Sequence, residues 1–334
     1  MSAPIPDATG LVGLADPGRK LQVVGDLVWR SYADADTAAL TAFMREMAIA
    51  AGADPGLTED EVRSWFTSGL VRDPAADTRL VADGDTIVAA ALLAPPVGDG
   101  DRVDSFGGVL PGWRGRGFGR ELLGWSFRRA RQLRDQLAPG ANWSLDADGY
   151  ATEATAFALF ERFAMQPVRY WYEMAADLRV PVSPRPRPDL PVVPFSADYT
   201  AALYAAHNEA MADHFDFELT GLDDWSEREL YQPGFRPDLT RLSIDGNQVA
   251  GYVLAGEETP GRIRMNEIGT RRAWRRQGLA GSLLAEVMIA SAADGQQRAT
   301  LGVDSESPTG AVGIYRQAGF EVVSSWTSYR RPLD

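Results

Sequence analysis

Apolar residues recur along this chain with two periods, and the two alternate. In DTAALTAFMREMAIAAG, residues 36–52, they return every three to four positions, which predicts a helix with one buried face. LTEDEVRSWFTSGL, residues 57–70, has the same period and opens with Thr58 and Glu61 at capping-box spacing, so a second helix is predicted there. Short apolar runs bounded by turn residues surround these: LQVVGDLVW (21–29), TRLVAD (78–83), TIVAAALLA (86–94) and VDSFGGVL (103–110), with a DGD turn between the second and third. Their length and composition predict strands. A helix over 118–137, a strand at WSLDA (143–147), a helix over 153–163 and a strand at RYWYEMAADL (169–178) complete the run.

The same order then repeats. Helices are predicted near 200–211 and 225–230, followed by strands LTRLSID (239–245), QVAGYVLAG (248–256) and RMNEIGT (264–270). After an arginine- and glycine-rich turn come a helix, strand RATLGVD (298–304), helix TGAVGIYRQA (309–318) and strand EVVSSWTSYR (321–330). A tandem duplication of one α/β unit accounts for both halves. Between them, RVPVSPRPRPDLPVVP (179–194) carries six prolines and reads as an extended, semi-rigid connection. The expected organisation is a loose tail over 1–20, a first unit over 21–178, a linker over 179–191 and a second unit over 192–334.

Composition narrows the functional classes. The chain has 334 residues, 45% of them hydrophobic, enough for two units each with its own core. Cysteine is absent, which excludes disulfides, thiolate metal sites and cysteine nucleophiles. A net charge of -13 and a pI near 4.7 argue against a general nucleic-acid binder, since phosphate neutralisation needs a basic face. No run approaches the roughly 20 apolar residues of a membrane span, so a soluble, cytoplasmic protein with no membrane partner is expected.

The candidate chemistry lies at the repeated turn. PGWRGRGFGRELLG and RRAWRRQGLAGSLLA each follow a strand and open a helix. Unpaired N–H groups and the helix dipole together favour an anion there, and small residues let a ligand approach the backbone. In the second half these are Gly278, Ala280 and Gly281, with Gln277 and Leu279 among them; in the first they are Gly115, Gly117 and Gly119, with Phe118. Arg275 and Arg276, or Arg114 and Arg116, add donors for phosphate oxygens. A pyrophosphate-bearing cofactor is implied. The alternative is a helix start whose glycines serve packing. A P-loop string is absent, and a dinucleotide fingerprint would follow the first strand, not the fourth.

Arg275-x-x-Gly278-x-Ala280 and Arg114-x-x-Gly117-x-Gly119 resemble the acetyl-CoA pyrophosphate motif of the GCN5-related N-acetyltransferases (GNATs), and VDSESPTGAVGIYRQAGF resembles the closing strand-helix-strand of that family. The resemblance covers nearly the whole chain as two copies, and tandem copies are similar to mycothiol synthase and related actinobacterial acetyltransferases of varied acceptors. It implies two GNAT-type domains with a mixed sheet, acetyl-CoA as cosubstrate, and pantetheine pairing with the backbone around Ile268, Gly269 and Thr270, or Val109 and Leu110 in the first copy. It also implies that the Tyr315 hydroxyl meets the CoA sulfur as general acid. The other reading of Tyr315 is a core aromatic, in step with Val312 and Phe320.

Glu267, at the end of the strand entering the turn, is the candidate base, with a local arginine ion pair as the alternative. The family often places its base further back, where this chain has Arg264. Ser307 stands where the family commonly has asparagine. The copies are unequal: Phe160 aligns with Tyr315, so the first half lacks the hydroxyl and is expected to bind acetyl-CoA without turnover or to buttress its partner. Up to two acetyl-CoA sites per chain are expected. Asn208, Glu209, Asp213, His214 and Trp225 are the candidate acceptor-facing residues. His207 and His214 are the only histidines, and no metal site is expected. Three functions remain open: an N-acetyltransferase of a small primary amine working from the C-terminal half, its narrower form acting on a cysteinyl amine as mycothiol synthase does, and a non-catalytic acetyl-CoA sensor or scaffold.

Overall fold

A computed structural model describes residues 27–334 apart from 54, 97–99, 187–188, 216, 218, 233 and 308. The predicted tail and residues 21–26 of the first predicted strand lie outside the described residues. The first half comprises β1 (Leu27–Arg30), α1 (Thr37–Ala51), α2 (Glu59–Thr67), α3 (Pro74–Asp77), β2 (Thr78–Asp83), β3 (Thr86–Ala94), β4 (Arg102–Val109), α4 (Phe118–Leu137), β5 (Ser144–Tyr150), α5 (Ala154–Arg162) and β6 (Gln166–Asp177). The second comprises β7 (Val192–Pro194), α6 (Thr200–Met211), α7 (Leu222–Glu229), β8 (Arg241–Asp245), β9 (Gln248–Thr259), β10 (Arg262–Thr270), α8 (Leu279–Ala293), β11 (Arg298–Asp304), α9 (Ala311–Gln317) and β12 (Glu321–Pro332). The capping box forms: Thr58 Oγ1 accepts from Glu61 N at 3.2 Å and Thr58 N donates to Glu61 Oε2 at 2.6 Å. The short α3 and β7 have no sequence counterpart, because one helical turn and three residues are too short to show a period.

All these strands join one mixed sheet in the order β1-β2-β3-β4-β5-β12-β6-β11-β10-β9-β8-β7. The two ends mirror each other, as a duplication requires. At the centre the halves interdigitate. β12 lies antiparallel between β5 and β6 of the first half, and β6 lies antiparallel between β11 and β12 of the second. Each half therefore has a one-strand gap that only the other fills. Local periodicity specifies strands but not their neighbours, so sequence reading assigned each last strand to its own half.

Alternation along β3 and β9 sets the two layers. Ala90 and Leu92 face α1 and α2, in a core with Leu40, Phe43 and Val62, while Ala89 and Ala91 face Leu122 of α4. Likewise Leu254 packs with Leu203 of α6 and Trp225 of α7, and Ala255 with Leu283 of α8 and Tyr315 of α9. The register carries the α1–α2 face across the sheet onto the α6–α7 face. Between those helix pairs the central strands present a polar row on it, including Asp146, Arg330, Trp171 and Asp304. Arg330 bonds Asp146 at 2.8 and 2.9 Å, and Arg169 pairs with Asp304. The linker is not a free spacer: Val182 and Leu190 pack against the second half's core.

Candidate active site

Two parallel strand pairs splay, one in each half. β4 pairs with β5 only from Arg102 to Ser105, and β10 with β11 only from Arg262 to Arg264. Beyond those points each glycine turn stands at the head of a V-shaped notch. Gly117 and Gly278 cap the following helices at φ 93° and 81°, a conformation that glycine adopts at no steric cost. Two positions further back in each turn, Gly115 (φ 77°) is matched by Arg276 (φ 64°), a side chain in left-handed backbone.

The second notch opens into a cleft of about 1370 Å³. Ile268, Gly269, Thr270, Arg275, Arg276, Gly278, Leu279, Ala280 and Gly281 line it, together with Glu267 and Tyr315. Gln277 does not; its amide folds back on the Ala273 carbonyl at 3.1 Å. Glu267 reaches the cleft because of a β-bulge between Met265 and Glu267. Met265 lies opposite Ala255, on the α8 face, and Glu267 opposite Leu254, on the α6–α7 face. Without the extra residue, alternation would point both the same way. Asn266 is that residue, and Gly256 leaves room for it, since a Cβ there would meet Asn266 Nδ2 at 2.7 Å. Gly269 is also forced: a Cβ would lie 2.3–2.5 Å from the Tyr252 ring.

Burial pushes the Glu267 carboxyl up to about 8, the neighbouring Glu229 carboxylate adds to the shift, and Arg228 opposes it. Among the described residues no ion pair holds Glu267; the local arginine, Arg228, donates to Glu229 Oε1 at 3.0 Å. Burial, then the Glu267 charge, raises the Tyr315 phenol above its ordinary value, so its hydroxyl keeps its proton at neutral pH. His207 is buried, lies 3.1 Å from the Tyr252 hydroxyl through Nδ1, and is pushed down to about 4 by desolvation, so it is neutral.

The acceptor-facing candidates divide. Asp213 and His214 line the cleft. Asn208 and Glu209 do not, and Glu209 is taken up by Arg271 at 2.6 Å and the Arg272 amide at 3.0 Å. Trp225 is fully buried against His207 and Tyr204, with its Nε1 unpartnered. Its amphipathic helix buries this face because Trp225 is the largest apolar residue on it. The cleft also takes Leu70, Pro95, Arg102, Asp104 and Trp171 from the first half, and His207, Phe215 and Glu229 from the second. Sequence reasoning missed these, and no local motif marks them. Asp104, paired with Arg102 at 3.1 Å, is pushed up to about 6 by burial and by Asp146 and Asp148, against Arg102.

Three of the turn arginines, Arg275, Arg114 and Arg116, are committed to protein partners, whereas Arg276 lines the cleft. Arg275 donates to the Thr270 carbonyl at 3.0 Å and to Asp213 at 2.8 Å, holding the turn back against α6. Arg114 instead reaches across its notch, bonding Glu153 at the head of α5 at 2.6 Å. Leu159 of α5 packs at Gly119, where a Cβ would meet it at 3.1 Å. Arg116 lies over Trp113 and donates to the Gly112 carbonyl, Phe118 sits 6.0 Å from Trp29, and Leu110 is buried. Neither Val109 nor residues 114–119 line the cleft. Among the described residues no His, Asp and Glu cluster of metal-holding size occurs, and no helix is long and apolar enough to cross a membrane.

A sheet splayed beside a glycine turn, with an acidic and a phenolic side chain in the same cleft, defines an acyl-transferase type of site, and similarity to known proteins is specific about which. Residues 236–330 match the acetyltransferase (GNAT) domain family. A GCN5-related N-acetyltransferase from Sphaerobacter thermophilus superposes with a TM-score of 0.78 at 26% identity, covering 92% of this chain and 96% of that one. A tandem GNAT protein from the clavulanic acid biosynthesis pathway has a TM-score of 0.66 at 16% identity, with coverage of 92% and 99%. A putative acetyltransferase from Pyrococcus horikoshii has a TM-score of 0.56 at 15% identity, with coverage of 94% and 91%. The last two share the fold. No curated protein sequence matches the chain. Residues 236–330 thus carry a GNAT acetyltransferase domain, the whole chain has the fold of GCN5-related N-acetyltransferases in two copies, and the protein is an acetyl-CoA-dependent acetyltransferase. The narrower likeness to mycothiol synthase finds no support among these relatives.

Proposed function

We propose that the C-terminal half transfers an acetyl group from acetyl-CoA to the primary amine of a small molecule by direct attack, and that the first half neither binds the cosubstrate nor reacts. The observation that carries this is the convergence of Glu267, Tyr315 and the open second notch on one cleft. The residues present fit the cosubstrate. Gly278 and Gly281 leave the head of α8 free of side chains for a diphosphate, Ile268 to Thr270 lie on a strand edge that has left β11, and the buried Thr270 hydroxyl has no partner among the described residues. Acetyl-CoA supplies the thioester. Glu267 accepts the proton of the acceptor ammonium, directly or through water, and the freed amine forms the new C–N bond as the C–S bond breaks. Tyr315 donates its proton to the departing sulfur. Walls from both halves, including Trp171 and Asp104, favour a compact acceptor over a protein tail.

Thiol release over a panel of small amines tests this reading. Turnover that depends on acetyl-CoA, on an amine and on Tyr315 is expected. Acetyl-CoA binding with no turnover across the panel would favour the sensor reading.

A further inference from the structure

The linker passes over the glycine turn of the second half, and what it places there has no counterpart among the described residues of the first. Arg185 and Pro186 line the cleft beside Gly278 and Gly281. A Cβ at Gly281 would lie 3.7 Å from Arg185 Cδ and 3.8 Å from its Nη1, and a Cβ at Gly278 would lie 3.3 Å from the Pro186 carbonyl oxygen. The Arg185 guanidinium is anchored on one side, where Nη2 donates to the Gln317 carbonyl at the end of α9. It therefore stands between the head of α8 and the tail of α9, with its remaining donors facing the bare backbone of the turn.

From the turn itself only Arg276 lines the cleft with its charge uncommitted among the described residues, and Arg185 adds a second cation. Arg275, which sequence reading gave to the phosphates, spends its guanidinium on Thr270, Asp213 and Ala210. A planar guanidinium that is already fixed binds a phosphate oxygen with less ordering cost than a free lysine would. Proline on both sides of Arg185 limits the linker backbone and so fixes where that guanidinium is delivered.

We propose that Arg185, carried by the linker, is a diphosphate-binding residue of the acetyl-CoA site, supplied from outside the glycine turn. This rests on the C-terminal half being the acetyl-CoA site. Calorimetry with acetyl-CoA and with S-acetylpantetheine, which lacks the diphosphate, separates the two ideas. Arg185→Ala is expected to weaken acetyl-CoA binding by about tenfold or more, the size of a lost charge-assisted hydrogen bond, and to raise the KM for acetyl-CoA while kcat at saturation stays within about twofold. Affinity for S-acetylpantetheine stays unchanged, and Arg185→Lys recovers part of the loss. Arg185→Gln serves as the neutral variant if the alanine chain does not fold. Equal or tighter acetyl-CoA binding by the neutral variants overturns the assignment of Arg185 alone. Failure of the wild-type chain to bind acetyl-CoA overturns the site itself.

Discussion

The two glycine turns have nearly the same backbone and opposite surroundings. In the first, Arg114 ties the turn to α5 through Glu153, and Leu159 packs on Gly119, so the arms of the V are drawn together. In the second, Arg275 ties the turn to the Ala210 carbonyl of α6 and to Asp213 just past its end, on the same arm of the V, and the notch stays open. The chemistry follows the same division. Counted back from the turn arginine, Phe106 stands where Glu267 stands, and the β3–β4 register carries no bulge there. Phe160 stands in place of Tyr315, buried against Tyr329 of β12 at 5.1 Å between ring centres. A glycine turn is thus a scaffold feature that survives in both halves, and the side chains beside it decide whether it can serve a ligand.

The largest expected effect comes from separating the halves. Residues 21–178 made alone leave β6 without either neighbour and β5 with an open edge, so no cooperative thermal unfolding is expected by circular dichroism. A sharp transition would mean that the interdigitated strands are not needed for folding. Next is Tyr315→Phe, with kcat down by roughly tenfold to a thousandfold and acetyl-CoA affinity nearly unchanged. Phe160→Tyr should create no second activity; wild-type turnover by Tyr315→Phe would reduce the tyrosine to a core aromatic.

A paired charge substitution sharpens the contrast between the turns. Gly278→Glu should weaken acetyl-CoA binding by about tenfold or more, through backbone strain and repulsion of the diphosphate, while Gly117→Glu leaves it unchanged and calorimetry gives one site per chain. Equal losses would show that both turns bind.

Acidity offers a further test. With its carboxyl at about 8, Glu267 is mostly protonated at neutral pH, so kcat/KM should rise as pH passes through about 8 and flatten above it. The sign for stability is the reverse. The folded chain holds this proton more tightly than the unfolded chain, so stability falls as pH rises from the unfolded value toward about 8. Glu267→Gln should flatten both profiles; a pH–rate curve unchanged by that substitution would remove Glu267 as the base. The smallest effect belongs to Arg276→Gly, which relieves a left-handed side-chain position and should raise stability by about 1 kcal/mol, read as a small rise in Tm.

Most elements were legible in the sequence because their signal is local. The helix over 36–52 is Thr37–Ala51, and the 78–83 and 86–94 strands stand as predicted. Glu267 and Tyr315 were findable because each sits at a fixed step from a turn or a closing helix. What stayed hidden depends on contacts between distant residues. The bulge at Asn266 changes the face Glu267 occupies, yet its cause, the room at Gly256, lies on another strand. The Arg114–Glu153 pair, which closes one notch, joins a turn to a helix start with a strand between them. Asp104 and Trp171 reach the cleft only because the central strands interdigitate, and nothing in a periodic pattern records which strand will lie beside which.

That interdigitation also governs how the protein is made. A ribosome releases β5 and β6 early, yet their shared partner, β12 (Glu321–Pro332), follows only after the whole of the second half's other elements. At about 5–20 residues per second, the nascent first half waits on the order of ten seconds with a strand-wide slot open in its sheet. During that time the slot exposes unpaired backbone beside apolar side chains, a template for joining with another unfinished copy. β12 is therefore the strand that seals the sheet, and any premature stop before it yields a chain with two sticky edges that a cell's quality control must clear.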